Sequence, residues 1–384
     1  MPHVSKRAGA VAPFLAMEIM ERAQALEAQG RDVIYLCLGE PDFPTPAPVV
    51  AAAVRAIRAG ETQYTHSLGL LALREEIAAF YRRRYGVGVD PGRILVSCGT
   101  SPLMLLLFAA LLDAGDEIVL ADPGYACYPN FIRFSAGLPV FLRTREEDGF
   151  QPRPEGVRAL VSPRTRGVLV NSPSNPAGSI LPAAWLEELA ALGVPLISDE
   201  VYHGLTYEGE ERSALEFSPD AFVLGGFSKA YAMTGWRLGY LIAPKWCVRT
   251  LQSLHQNFLI SASSFVQRAG VAALRECGED VARMRAAYDE RRRRIVPRLR
   301  DLGLGVSREP RGAFYVLADA RRIGADSRSL ALEILGATGV AVTPGIDFGA
   351  GSEGFLRFSY ANSLENIDRA MDRLGDYFRL KGWL

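Results

Sequence analysis

The sequence predicts an α/β protein. It has a large domain on a mostly parallel sheet covered by helices, with a smaller, discontinuous α+β unit beside it. Three observations carry this reading. Between about residues 93 and 275 short apolar runs alternate with helical stretches, the pattern of strands joined by helical crossovers. The runs are apolar nearly throughout, as strands buried on both faces are. From about residue 276 the alternation gives way to a long helix and then strands and helices in mixed order. A chain of 384 residues is long enough for more than one domain.

Taken in order, an amphipathic helix near Pro13 to Gln29 and the proline-rich "LGEPDFPTPAP" are expected to pack on the smaller unit. "RILVSCG" (93 to 99) is a strand, followed by a helix over "SPLMLLLFAALLDAG". Its apolar run, Pro102 to Leu112, is too short for a bilayer, which takes about 20 residues, and reads as a buried helix. The strand "DEIVLAD" (116 to 122), a helical stretch near "YPNFIRFSAG" and the strand "LPVFLRT" (138 to 144) come next. "RGVLVNSP" (166 to 173) leads to the helix "LPAAWLEELAALG", then "VPLISDEVY" (194 to 202), "AFVLGGFSK" (221 to 229) and "RLGYLIAP" (237 to 244). After the long helix come "RGAFYVLADA", the helix "SRSLALEILGATG", "VAVTPG", "GFLRFSYA" and a last helix from Ser363. The expected division is 45–275 for the large domain, with 1–44 and 276–384 forming the small one.

Composition excludes several functions. Lys plus Arg (43) balances Asp plus Glu (43), so no global field draws the chain to nucleic acid or an anionic membrane. The basic run Arg291 to Arg294 has acidic neighbours and reads as a solvated helix face. Five scattered cysteines without a C-x-x-C pair, and four histidines without ligand spacing, predict neither a disulfide framework nor a metal site. The N-terminus lacks a signal core, which makes a cytoplasmic location the expectation.

Ligands in such sheets bind beyond the carboxyl ends of the strands, so the polar residues there are the candidates. Lys229 lies in "GGFSKAYAMTGWRLGY", among small and aromatic residues and eight residues before Arg237. Partial burial lowers a lysine's pKa, and the neutral amine can form a Schiff base. Asp199 closes "PLIS", where a carboxylate needs a cation or serves as a cap. Asn171 and Asn175 lie in the turn "NSPSNPAG", which calls for turn-formers in any case. Gly99, Thr100 and Ser101 stand between a strand and a helix, where free N–H groups suit a phosphate or an N-cap. Neither nucleotide fingerprint, G-x-x-x-x-G-K or G-x-G-x-x-G after the first strand, is present.

Together these residues resemble the class I aminotransferases, fold type I pyridoxal-5′-phosphate enzymes of the aspartate aminotransferase superfamily. "NSPSNPAG" is similar to the family's N-P-x-N-P-T-G, "SDEVY" to D-E-x-Y, and "SKAYAMTGWRLGY" to S-K-x-x-x-x-x-G-x-R-x-G-Y. The resemblance runs from Leu38 to Ala361. It implies that Lys229 holds the cofactor as an internal aldimine and then moves a proton. Asp199 would pair with the pyridine nitrogen, Tyr202 and Asn175 with the ring's phenolate oxygen, and Tyr125 would stack on the ring. Arg237, Ser228 and Gly99 to Ser101 would hold the phosphate. Tyr64 would reach the neighbouring subunit's phosphate, implying a homodimer. Arg357, assisted by Gly39 and Asn175, would grip the substrate carboxylate. The implied reaction is ping-pong transfer of an amino group from an L-α-amino acid to a 2-oxo acid. A same-fold lyase or cyclopropane-forming synthase, or a non-catalytic sensor, is the alternative.

Two positions depart from the family pattern. Gly226 stands where many members have a phosphate-binding serine, and Ala177 replaces the threonine of N-P-T-G. No second arginine for a dicarboxylate is evident, which favours neutral or aromatic amino acids. His66, Phe14, Leu15 and Asn257 are the residues expected near the mouth of the site, with His66 read equally well as a surface loop residue.

Overall fold

A computed structural model describes residues 3–384. The helix Leu15–Ala28 leads to the short strand β1 (Ile34–Tyr35), followed by helices Ala47–Arg58 and Leu71–Tyr85. The strands β2 (Ile94–Ser97), β3 (Glu117–Asp122), β4 (Leu138–Arg143), β5 (Thr165–Asn171), β6 (Leu196–Asp199), β7 (Phe222–Gly226) and β8 (Gly239–Ile242) form one sheet. Its order is β2-β8-β7-β6-β5-β3-β4. Every pairing is parallel except those of β8, which runs antiparallel to both β2 and β7. The predicted α/β architecture is the one observed, with each strand inside its predicted run or within a residue of it.

The apolar character of those runs follows from what lies on each face. Val119, Val168, Val170 and Val223 enter one core, with Leu73 and Ile77 of the helix Leu71–Tyr85 and Ala269 of the helix Ser264–Glu276. The alternate residues Leu120, Leu169, Ile197 and Leu224 enter a second core, with Leu103, Leu107 and Phe108 of the helix Thr100–Leu111. Both faces are thus removed from water except along the edge strand β4, where Leu138 and Phe141 stay exposed, and each buried Val or Leu contributes about 2 kcal/mol.

The C-terminal part comprises the helix Gly278–Asp301, β9 (Tyr315–Asp319), the helix Ser327–Thr338, β10 (Val340–Ala341), β11 (Thr343–Pro344), β12 (Phe355–Ser359) and the helix Leu364–Leu380. β11, β12 and β9 form an antiparallel sheet. The N-terminal stretch joins it by backbone pairing: β1 runs parallel to β10, and the Ser359 N–H donates to the Leu36 carbonyl. Ile19 and Ala23 share a core with Tyr288, Phe314, Phe358 and Phe378.

The run Arg291 to Arg294 corrects one expectation. Arg291 and Arg292 are buried. Arg291 pairs with Asp42 at 2.7 Å and lies over the Phe43 ring. Arg292 pairs with Glu208 at 2.6 Å and donates to the Pro310 carbonyl. Only Arg293 and Arg294 face solvent, bound to Asp289 and Asp368. Successive residues on a helix point about 100° apart, so a four-residue run cannot occupy one face.

Candidate active site

A cavity of about 460 Å³ opens beyond the carboxyl ends of the parallel strands. Asp199 ends β6, Ser228 and Lys229 follow β7, Asn171 and Asn175 lie at and beyond the end of β5, and Thr100 and Ser101 follow β2. Because β8 runs antiparallel, the residues before it also reach this edge, which brings Arg237 into the cavity wall.

The chain carries four lysines, and Lys6, Lys245 and Lys381 are exposed. Lys229 is half-buried, and its Nζ donates to the Gly39 carbonyl at 2.5 Å. Burial pushes its pKa down to about 8. The carboxylate of Glu40 opposes that shift, while Arg357 and Arg237 add to it.

Asp199 is 4% exposed and has no ion-pair partner within salt-bridge distance among the described residues. Its Oδ2 accepts from the Tyr128 hydroxyl at 2.7 Å and its Oδ1 from the Val201 N–H at 3.2 Å. Burial raises its pKa, and these hydrogen bonds oppose the rise. The Tyr202 hydroxyl lies 2.9 Å from that of Tyr315. Tyr315 packs so closely on Gly39 that a Cβ there would come within 2.5 Å of its oxygen, which requires glycine at position 39.

Arg357, on β12, is 2% exposed. Nη1 donates to Asn175 Oδ1 at 2.9 Å, and Nη2 donates to the Cys37 carbonyl at 2.6 Å and to Thr343 Oγ1 at 3.1 Å. The rings of Tyr315 and Phe348 lie 4.4 and 4.8 Å from the guanidinium carbon. Nε is buried without a partner.

Gly99 and Arg237 form a close pair. Gly99 has φ of +101°, and a Cβ on it would come within 2.7 Å of Arg237 Nη2. Arg237 itself has φ of +52°, a left-handed conformation that side chains other than glycine rarely adopt. No side chain caps the helix Thr100–Leu111, so its first-turn N–H groups and dipole are left for a ligand beside Arg237.

Three observations fit pyridoxal phosphate to this cavity. The buried carboxylate of Asp199 lacks a cation, the uncapped helix start beside Arg237 suits a phosphate, and Lys229 is the one lysine held away from the surface. Tyr125 also lines the cavity, edge-on to Tyr128 with ring centroids 5.2 Å apart.

Other expected residues lie elsewhere. Tyr64 is 80% exposed and does not line this chain's cavity. His66 and Asn257 are exposed outside it, each engaged in local hydrogen bonds to Leu68 and Ser253. The Leu15 N–H donates to Asp347 Oδ1, while its neighbours Phe14 and Ala16 line the wall. A Cβ on Gly226 would sit 3.5 Å from Thr100 Cγ2 and Val201 Cγ2, an ordinary contact. Gly225 is the constrained glycine, since a Cβ there would lie 2.2 Å from Tyr240.

Sequence reasoning missed Tyr128 and Tyr315. The only signal for either is a phenol embedded in apolar sequence, "YACYPNFI" and "GAFYVLA", where a buried hydroxyl needs a partner.

The fold and the cavity define a fold type I aminotransferase, and comparison with known proteins agrees. A profile of the class I and II aminotransferases matches residues 31–374. The chain belongs to this family, and its activity is transamination; same-fold elimination is not favoured. It is 40% identical over 381 residues to the aspartate/prephenate aminotransferase of Thermus thermophilus, covering 97% of this chain and 98% of that protein. It is 38% identical over 379 residues to the (5-formylfuran-3-yl)methyl phosphate transaminase of Methanocaldococcus jannaschii, covering 97% and 99%. Among solved structures, the Thermus thermophilus aspartate aminotransferase with maleate superposes with a TM-score of 0.94 at 39% identity, over 98% of this chain and 100% of that one. The family implies dependence on pyridoxal phosphate. Among the described residues there is no helix long and apolar enough to cross a membrane and no cluster able to hold a metal ion.

Proposed function

We propose that Lys229 is the amine that holds pyridoxal 5′-phosphate and carries the substrate's α-proton as the amino group passes from an L-α-amino acid to a 2-oxo acid. The observation that carries this is the convergence of Lys229, Asp199, Tyr202, Arg237 and Arg357 on one cavity. A lysine with pKa about 8 has an appreciable fraction of neutral, nucleophilic amine at physiological pH. When bound, the cofactor's ring is an electron sink for the pair released at the α-carbon.

The protein's residues supply the rest. Asp199 offers its carboxylate to the protonated ring nitrogen, and Tyr128 holds that carboxylate in place. Tyr202 donates toward the ring's phenolate oxygen, as does Asn175 through Nδ2, since its Oδ1 already accepts from Arg357. Tyr125 packs on the ring face. Ser228, Arg237 and the Gly99 to Ser101 turn bind the phosphate. Arg357 grips the substrate carboxylate, with Gly39 and Asn175 beside it; Nη1 keeps one N–H beyond its bond to Asn175.

The proposal includes a homodimer in which exposed Tyr64 serves the neighbouring subunit's phosphate. It also divides the chain into a large domain, 45–275, and a small one of 1–44 and 276–384, in keeping with the core that N- and C-terminal residues share. The five unpaired cysteines fit the cytoplasm, where thiols stay reduced.

The test is spectroscopic. Protein supplied with pyridoxal phosphate should take up one equivalent per chain and gain a visible absorption band that Lys229→Ala abolishes. An amino acid alone should discharge the band and a 2-oxo acid restore it. A protein that takes up no cofactor contradicts the proposal.

A further inference from the structure

The names of the relatives span aspartate, prephenate and a furan phosphate, so they do not decide what this chain's substrate carries as its side chain. The cavity wall does. One part of it comes from the start of the helix Leu15–Ala28 and the residue before it: Phe14, Ala16, Met17 and Met20, joined by Leu38. All five are apolar. Met17 remains 42% exposed and Met20 is half-buried, so this face is left open rather than closed into a core. The Phe14 ring meets Tyr125 edge-on, with centroids 6.1 Å apart.

This wall is fixed to the carboxylate grip. Asp347 accepts from the Leu15 N–H at 2.8 Å and the Ala16 N–H at 3.0 Å, and the next residue, Phe348, lies against Arg357. A substrate held by Arg357 therefore meets an apolar surface in a set position.

The charges in the wall point the same way. Its cations are Lys229, Arg237 and Arg357, and each has a task in the proposed chemistry. Glu40, bound to Thr234, adds a negative charge. The stretch "ETQYTHSLGL" (61 to 70), which carries Tyr64, holds no lysine or arginine, so in a neighbouring copy it brings His66 but no permanent cation. A second substrate carboxylate would lie partly desolvated against this apolar face with no permanent cation to pair it, which is unfavourable.

We infer that the substrate's side chain is uncharged and hydrophobic, aromatic or long and aliphatic, and packs against Phe14, Met17 and Met20. The inference rests on the cofactor and carboxylate roles proposed above. Two flexible thioethers adapt to differently shaped apolar groups, so several such amino acids are accepted.

The experiment uses the cofactor-loaded protein. The half-reaction is followed by loss of the visible band with L-phenylalanine, L-leucine, L-aspartate and L-glutamate, and calorimetry compares the unreactive 3-phenylpropionate with succinate. Phenylalanine or leucine should exceed both acidic substrates by about a hundredfold in kcat/KM, the scale at which a site discriminates against a substrate group it leaves unpaired. 3-Phenylpropionate should bind more tightly than succinate. Met17→Arg should narrow the ratio of phenylalanine to aspartate about tenfold, one well-placed charge pair in a partly exposed site. Aspartate or glutamate matching the hydrophobic donors overturns the inference alone. So does an unchanged ratio in folded, loaded Met17→Arg protein. Failure to take up pyridoxal phosphate overturns the underlying reading, and the inference with it.

Discussion

The Tyr128 hydroxyl donates a 2.7 Å hydrogen bond to Oδ2 of Asp199, the carboxylate that closes β6. Both groups are buried, and the bond opposes the rise in pKa that burial imposes on the acid. Tyr128 thereby favours the charged form of Asp199 and fixes how its carboxylate is turned in the cavity wall. Tyr128→Phe should leave the fold intact but remove a bond to a charged group, about 2 kcal/mol. Steady-state kinetics should show kcat reduced about tenfold or more, with the acid limb of the pH profile moved to higher pH. An unchanged profile would mean that Tyr128 only fills space.

Lys229 gives a pH dependence of known sign. Its pKa is depressed to about 8, so the nucleophilic neutral amine becomes the major form above that pH. The rate at which cofactor-free protein combines with pyridoxal phosphate should therefore rise with pH and level off near 8 to 9. A rise that continues toward pH 10 would show an ordinary, solvated lysine.

Arg357→Lys keeps the charge and loses the fork. An ammonium cannot reach Asn175, the Cys37 carbonyl and a substrate carboxylate together. Truncating a buried, hydrogen-bonded charge pair costs about 2 to 5 kcal/mol. KM for the amino donor should rise at least thirtyfold while the visible band persists. An unaltered KM would place the substrate carboxylate elsewhere.

The adjacent glycines of β7 should behave differently. Gly225→Ala drives a methyl group into the Tyr240 ring and should destabilise the protein by about 1 to 3 kcal/mol. Gly226→Ser meets only ordinary contacts, so it should leave the unfolding temperature nearly unchanged and hold the phosphate at least as well. Thermal unfolding with and without cofactor distinguishes the two. Equal losses of stability would mean that the strand shifts to absorb either side chain.

How much of this was legible in the sequence depends on how local the signal is. Six of the seven strands could be read because both faces of the sheet are buried there, and each appears as an apolar run bounded by turns; the edge strand β4, with Leu138 and Phe141 exposed, was legible from its apolar residues alone. The cavity residues could be found because strand ends gather at one edge of such a sheet and because their spacing matched a known pattern. Tyr128 and Tyr315 escaped because each works through a partner 71 or 113 residues away, Asp199 or Tyr202. Arg291 and Arg292 were misread because their acidic partners, Asp42 and Glu208, lie on distant segments. Asp347, which ties the start of the helix Leu15–Ala28 to the segment beside Arg357, carries no sequence signal, since it accepts from two backbone N–H groups more than 330 residues away.

Trapping the linkage tests the proposed attachment of the cofactor to Lys229. Protein loaded with pyridoxal phosphate is reduced with borohydride, digested and mapped by mass spectrometry. The phosphopyridoxyl mass should fall on Lys229 at about one per chain, with Lys6, Lys245 and Lys381 unmodified. Label spread over those surface lysines, or absent from Lys229, would contradict it.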